Sequence, residues 1–150
     1  MKMNYNIRKA SLEDLEQAAA LFNLYRIFYR QESDLEKAKE FLRDRFLYGE
    51  SEIFLAIQGE QAVGFVQLYK LFHYTKLQRQ WLLSDLFVHP DHRSKGLSVR
   101  LIDRSKVWCE ETGACGLMLE TEKTNVIGNS LYPRCGFEYD GMHNYYHWWR

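Results

Sequence analysis

Leu86-Phe87-Val88-His89-Pro90-Asp91-His92-Arg93-Ser94-Lys95-Gly96-Leu97-Ser98 carries an apolar strand through a proline and a basic turn straight into a helix. The strand begins upstream at Trp81-Leu82-Leu83-Ser84-Asp85, reads as a buried central strand, and holds one acid, Asp85. Pro90 has no N–H for a ladder and stops it. Past the turn, Leu97, Leu101, Ile102, Val107 and Trp108 fall at helical spacing, and Gly113 closes the helix. Such a turn aims several backbone N–H groups at one point, and the helix dipole adds to their attraction for an anion. Gly96 supplies an unusual backbone angle or a close approach, Ser98 is small, and Arg93 and Lys95 add positive charge. The turn is therefore a candidate diphosphate site, although taken alone it also reads as an ordinary lead-in to a helix. Neither Gly-x-x-x-x-Gly-Lys-Ser/Thr nor Gly-x-Gly-x-x-Gly occurs, which speaks against a P-loop and a Rossmann dinucleotide site.

Outward from this stretch, polar and apolar residues alternate over Tyr5–Arg8 as a short strand, and Ser11-Leu12-Glu13-Asp14 offers a cap that starts a helix at Ser11, running through about Tyr25. Ser33-Asp34 caps a second helix that ends before Gly49. Between them lies Arg26-Ile27-Phe28-Tyr29-Arg30-Gln31-Glu32, rich in aromatic and charged groups, which reads as the border of a ligand. Ile53–Ile57 and Ala62–Tyr69 flank Gly59-Glu60-Gln61 as an antiparallel hairpin. Downstream, Gly116–Thr121 reads as a buried strand, Asn125–Arg134 as a short helix, and Tyr145-Tyr146-His147-Trp148-Trp149 as a last aromatic strand. Strand, two helices, three strands, helix, strand, helix and final strands make a mixed α/β sheet domain, and 150 residues without a composition break fit one domain.

Apolar residues make up 46% of the chain and charged residues 27%, ordinary for a packed protein and too apolar for disorder. Twenty basic side chains balance twenty acidic ones, so no general field draws nucleic acid or an anionic membrane. No apolar run suggests a leader or a membrane span, and the expected location is the cytoplasm. Cys109, Cys115 and Cys135 form no Cys-x-x-Cys pair and read as reduced structural thiols. The pairs His89/His92 and His143/His147 have no acids or thiols to complete a metal site, so no metal is expected.

Leu86-Phe87-Val88-His89-Pro90 followed by Arg93-x-x-Gly96-x-Ser98 resembles the signature of the GNAT superfamily of N-acetyltransferases, an apolar strand and then Arg/Gln-x-x-Gly-x-Gly/Ala, with Ser98 in place of the usual Gly or Ala. Downstream, Asn125-x-x-Gly128-x-x-Leu131-Tyr132-x-x-x-Gly136-Phe137 is similar to that family's Asn-x-x-Ala-x-x-Leu-Tyr-x-x-x-Gly-Phe, with Gly128 in place of Ala. The resemblance implies a splayed, mixed central sheet flanked by helices, with acetyl-CoA in the gap between the strands ending near Val88 and Thr121. It implies that backbone groups of Leu86, Phe87 and Val88 pair with the pantetheine arm, and that the turn from Ser94 through Lys95, Gly96, Leu97 and Ser98 to Val99 holds the diphosphate. It further implies that Asn125 and the segment to Gly128 touch the pantetheine region and that Tyr132 faces the sulfur.

An alkyl amine with a pKa of about 10.4 is protonated at neutral pH, and freeing its lone pair costs about 4.6 kcal/mol, so a base or a water relay is useful. Asp85, desolvated on its strand, is the candidate base, with a purely structural buried acid as the alternative. In polyamine acetyltransferases with a similar strand an acid often stands one position earlier, where this chain has Ser84. Glu120 is a second candidate base; its plain alternative is an exposed charge. The N–H of Val88 is the candidate oxyanion donor, and Tyr132 the general acid for the leaving thiolate, the alternative being a tyrosine packed on the Gly136-Phe137 turn. Tyr25, Tyr29 and Glu32 suit the mouth of an amine site. The C-terminal aromatics either bury against the sheet or cover an edge in a homodimer. The expected function is acetyl transfer from acetyl-CoA to a primary amine of a small molecule (polyamine, amino acid or amine drug). The alternatives are a protein N-terminal or lysine acetyltransferase and a non-catalytic acetyl-CoA-binding protein.

Overall fold

The computed structural model describes residues 3–150, and the chain divides into two units, Met1–Leu119 and Glu120–Arg150. Met1 and Lys2, the start of the stretch read as lacking a leader, lie outside the described residues. In the first unit, strands β1 (Tyr5–Lys9), β2 (Ser51–Gln58), β3 (Gln61–His73), β4 (Gln78–Val88) and β5 (Leu117–Met118) form one sheet in that order. Neighbours are antiparallel except β4 and β5, which run parallel.

Helix α1 (Leu15–Phe28) follows a 3-10 turn at Leu12–Asp14. The helical path starts at Ser11 as expected: Ser11 caps the 3-10 turn, its N–H donating to Asp14 Oδ2 at 2.9 Å in a capping box, Arg8 grips both Asp14 oxygens at 2.9 and 2.7 Å, and the α-helix proper begins at Leu15. At its other end α1 absorbs Arg26-Ile27-Phe28 from the stretch read as inter-helical, since nothing there breaks a helix; Arg30, at φ 65°, turns the chain away. Helix α2 (Leu35–Tyr48) opens on Asp34, whose side chain accepts the Lys37 N–H at 3.0 Å, and closes on left-handed Gly49.

Alternation along the strands sorts the core into two layers. Ile53, Leu55 and Ile57 of β2, Phe65 of β3 and Phe87 of β4 bury against Ala18, Ala19, Phe22 and Leu42 of the α1–α2 pair. On the other face lies helix α3 (Leu97–Thr112), whose Trp108 ring meets Phe54 and Trp81. In β4 the two layers are joined by a bulge. Gln67 pairs with Asp85, but the next residue, Leu68, pairs with Leu83, leaving Ser84 as the extra residue. Because a one-residue slip exchanges the faces of a strand, Trp81 and Leu83 share a face with Leu68, while Asp85 and Phe87 share the α1–α2 face with Gln67 and Phe65.

Strand β5 pairs only with Trp81 and Leu82, so its bonding to β4 ends just before the bulge. The strand expected over Gly116–Thr121 is accordingly two residues long, and β4 runs on from Leu83 to Val88 with that edge unreached by β5. This is the mixed α/β sheet with a splayed edge, flanked by helices, that the resemblance implied.

In the second unit, helix α4 (Val126–Arg134) begins at Asn125, as expected, and tolerates Pro133 in its last turn. The strand expected at Tyr145–Trp149 does not form: residues 137–150 carry neither helix nor strand. A strand is held by ladder bonds to a neighbour, and this unit contains no strand to pair with. No described helix is long and apolar enough to cross a membrane.

Candidate active site

The turn after β4 is built from two left-handed residues, Ser94 at φ 60° and Gly96 at φ 74°. A Cβ at Gly96 would meet nothing within 4 Å, so the backbone angle, rather than crowding within the protein, is what asks for glycine here. The first helical bond of α3 is Arg100 N–H to the Gly96 carbonyl, 3.1 Å, and Gly96 has no capping side chain. The N–H groups of Leu97, Ser98 and Val99 therefore precede the helical ladder, at the positive end of a 16-residue helix. That arrangement suits an anion.

The basic residues of the turn serve it as braces. Arg93 Nε donates to the Val88 carbonyl at 3.0 Å, and its guanidinium lies over the Phe87 and Phe28 rings at 5.4 and 5.9 Å. Lys95 Nζ donates to the Asp91 carbonyl at 3.2 Å. The turn is thus tied to the end of β4.

The direction of the β4 backbone groups follows from one bond. His89 N–H donates to the Val63 carbonyl at 2.8 Å, one step beyond the Gly64–Val88 pair. Bonded and non-bonded pairs alternate along antiparallel strands, so the main-chain groups of Phe87 face β3 while those of Leu86 and Val88 face the edge that β5 does not reach. Of the three residues expected to pair with a ligand along this edge, Leu86 and Val88 turn their N–H groups toward it.

On the α1–α2 face of the same strand lies a buried polar cluster. Asp85 is 6% exposed and Gln67 not at all. Gln67 Nε2 donates to Asp85 Oδ2 at 2.5 Å, Ser51 Oγ donates to Gln67 Oε1 at 2.8 Å, and Ser84 Oγ donates to Asp85 Oδ1 at 3.1 Å. The Tyr25 phenol donates to the Ser84 carbonyl at 3.3 Å. Burial pushes the Asp85 carboxyl above its ordinary value, against the pull of its bonds to Gln67, Ser84 and Tyr25. Burial, and after it the charge of Asp85, also pushes the Tyr69 phenol up. Gln67 and Ser51 were not singled out from the sequence; the available signal was a polar residue inside the apolar run Ala62–Tyr69.

The end of α1 stands over this cluster: the Tyr25 and Tyr29 rings lie 4.9 Å apart, centre to centre. Glu32 is exposed in the loop that follows, where its carbonyl accepts from Arg26.

In the second unit, Asn125 commits both ends of its amide locally: Oδ1 accepts the Gly128 N–H at 3.1 Å and Nδ2 donates to Thr121 Oγ1 at 2.9 Å. A Cβ at Gly128 would come within 2.6 Å of Asn125 Nδ2, which explains why glycine stands there in place of alanine. Tyr132 packs edge-on against Phe137, 5.8 Å between centres, and its carbonyl accepts the Phe137 N–H at 3.1 Å. Glu120 is exposed, two residues past the end of β5. Among the described residues no group of three or more His, Cys, Asp or Glu side chains is placed to hold a metal.

Residues 18–137 match the family model described as the acetyltransferase (GNAT) family. An uncharacterized N-acetyltransferase of Bacillus subtilis (strain 168), YhfO, is 43% identical over 135 residues, 90% of this chain and 91% of its own. A probable acetyltransferase of Haemophilus influenzae is 33% identical over 75% of this chain and 77% of its own. The crystal structure of a probable acetyltransferase, 33% identical, superposes with a TM-score of 0.89 over 95% of this chain and 96% of that one.

Proposed function

Since the chain belongs to the acetyltransferase (GNAT) family and is an acetyl-CoA-dependent transferase, we propose that its acceptor is the primary amine of a small molecule of the polyamine, amino-acid or amine-drug kind. The observation that supports transfer to an amine is the three-part build of one strand: β4 has an edge that β5 leaves uncovered, an anion-suited turn at its end, and a buried carboxylate three residues before Val88.

Acetyl-CoA supplies the reactive acetyl thioester. The N–H groups of Leu97, Ser98 and Val99, in the turn formed by Arg93, Ser94, Lys95 and Gly96, would hold its diphosphate. Leu86 and Val88 would bind its pantetheine arm through their outward main-chain groups, and the Val88 N–H would stabilise negative charge developing on the carbonyl oxygen. Asn125 and Gly128 we place at the pantetheine region through the α4 motif. Asp85 is assigned as the base that relieves the amine of its proton, a role that its depressed acidity supports. Tyr132, whose phenol carries a donor O–H, is assigned as the acid for the leaving sulfur. Tyr29 and Glu32 would line the amine mouth. Glu120, exposed beyond β5, is the second base candidate. The proposal takes the chain as one functional domain, in keeping with a family match that runs through both units, acting in the cytoplasm as a homodimer.

The test is release of free CoA thiol from acetyl-CoA in the presence of polyamines, amino acids, aminoglycosides and peptides. Turnover with a small amine is the expected result. Turnover with peptides alone would assign a protein acceptor, and acetyl-CoA binding without turnover across the panel would favour a non-catalytic binder.

A further inference from the structure

Both oxygens of Asp85 are engaged, Oδ2 by Gln67 and Oδ1 by Ser84, and the carboxylate is 6% exposed. A group so enclosed does not meet an amine directly. Ser84 is less enclosed. It is the extra residue of the β4 bulge, it is half-buried where Asp85 and Gln67 are buried, and the bulge brings its Oγ to the same carboxylate. Its backbone is steadied by the Tyr25 phenol on its carbonyl, at the end of α1 where the Tyr25 and Tyr29 rings meet. A hydroxyl has one proton and two lone pairs: with its proton directed to Asp85 Oδ1, its lone pairs are left for an incoming N–H donor.

We infer that Ser84 is the group that touches the acceptor amine and relays its proton to Asp85, with Gln67, itself held by Ser51, as the positioning residue that fixes the far side of the carboxylate. The inference rests on the reading of Asp85 as the base. In the step, one N–H bond of the ammonium breaks and its proton forms a new bond to Ser84 Oγ. The original Ser84 O–H bond breaks, and that proton forms a bond to Asp85 Oδ1. No electrons change hands; a cation and a carboxylate become a neutral amine and a neutral acid, and Ser84 ends as it began. Because the relay converts a desolvated ion pair to two neutral groups, the burial around it favours the transfer.

The experiment measures kcat/KM against pH for the wild type, Ser84→Ala, Ser84→Thr, Asp85→Asn and the double variant Ser84→Ala/Asp85→Asn. Spermidine is the probe amine, replaced by the panel amine of highest rate if spermidine gives none. Acetyl-CoA affinity and the melting temperature report folding. Expected is a loss of about 10²-fold for Ser84→Ala and for Asp85→Asn, at the low end for proton transfer, with the double variant no worse than the poorer single one. Ser84→Thr, which keeps the hydroxyl, retains most of the rate, and the Ser84→Ala deficit shrinks at alkaline pH as the amine deprotonates by itself. A wild-type rate in Ser84→Ala, or losses that multiply in the double variant, overturns the relay while leaving Asp85 as base. A wild-type rate in Asp85→Asn overturns the underlying assignment of the base itself.

Discussion

Asp85, the proposed base, is a side chain whose burial opposes folding. Burial raises its folded pKa above the ordinary 3.8, so the folded chain holds the Asp85 proton more tightly than the unfolded chain does. At pH values below about 3.8 both states are protonated and the residue is indifferent to folding; as pH rises from there, keeping an ionised carboxylate buried increasingly disfavours the native state. Asp85→Asn is therefore expected to melt higher than the wild type at pH 7, with the advantage vanishing as the pH falls to 3.8 and below. Thermal unfolding of both proteins from pH 3 to 8 checks this, and equal melting temperatures throughout would contradict it. Asp85 was legible in the sequence as the one acid of an apolar strand. Its partner Gln67 was not, because which residue lies opposite Asp85 depends on a strand register that no local pattern encodes.

The joint between β4 and α3 was the most legible element, since its information lies in consecutive residues: a proline stop, a left-handed glycine and a helical apolar stripe. Gly96→Ala and Gly96→Asp separate its conformational from its electrostatic role. Alanine at φ 74°, with open space around its Cβ, should cost about 1 kcal/mol of stability and change acetyl-CoA affinity little. Aspartate adds a charge at the proposed diphosphate site and should weaken that affinity at least tenfold, roughly 1.4 kcal/mol. Calorimetric titration of acetyl-CoA reads the difference, and wild-type affinity in Gly96→Asp would exclude this turn as the diphosphate site. Other elements were less readable for the same kind of reason. β5 extends only over its pairs with Trp81 and Leu82, and Asp14 at the head of the helix is gripped by Arg8 of β1, so both depend on contacts between separate elements.

For the whole molecule, the segment after Phe137 is the part that the sequence misled on. Strongly strand-forming aromatics predicted a final strand, yet Tyr146 and Trp148 stand 90% and 85% exposed with no ladder partner in their unit. Burying a side chain of that size stabilises by about 1.5–3 kcal/mol, and a formal net charge of zero raises no long-range repulsion between two copies. Both facts support the homodimer. Sedimentation velocity is expected to give a dimer for the full chain and a monomer for a chain ending at Glu138, with the melting temperature confirming that the shorter chain is folded. A monomer in both cases would remove the homodimer from the proposal.

The extra residue in β4 also makes the strand a place where counting and geometry fall out of step by one. A relative without that residue, laid against this chain position by position, would have its acids matched to residues on the opposite side of the sheet. One that carries its acid a single place earlier could present it to the same neighbours. Around Ser84, kinship between chains is to be reckoned in sides of the sheet and not in positions along it.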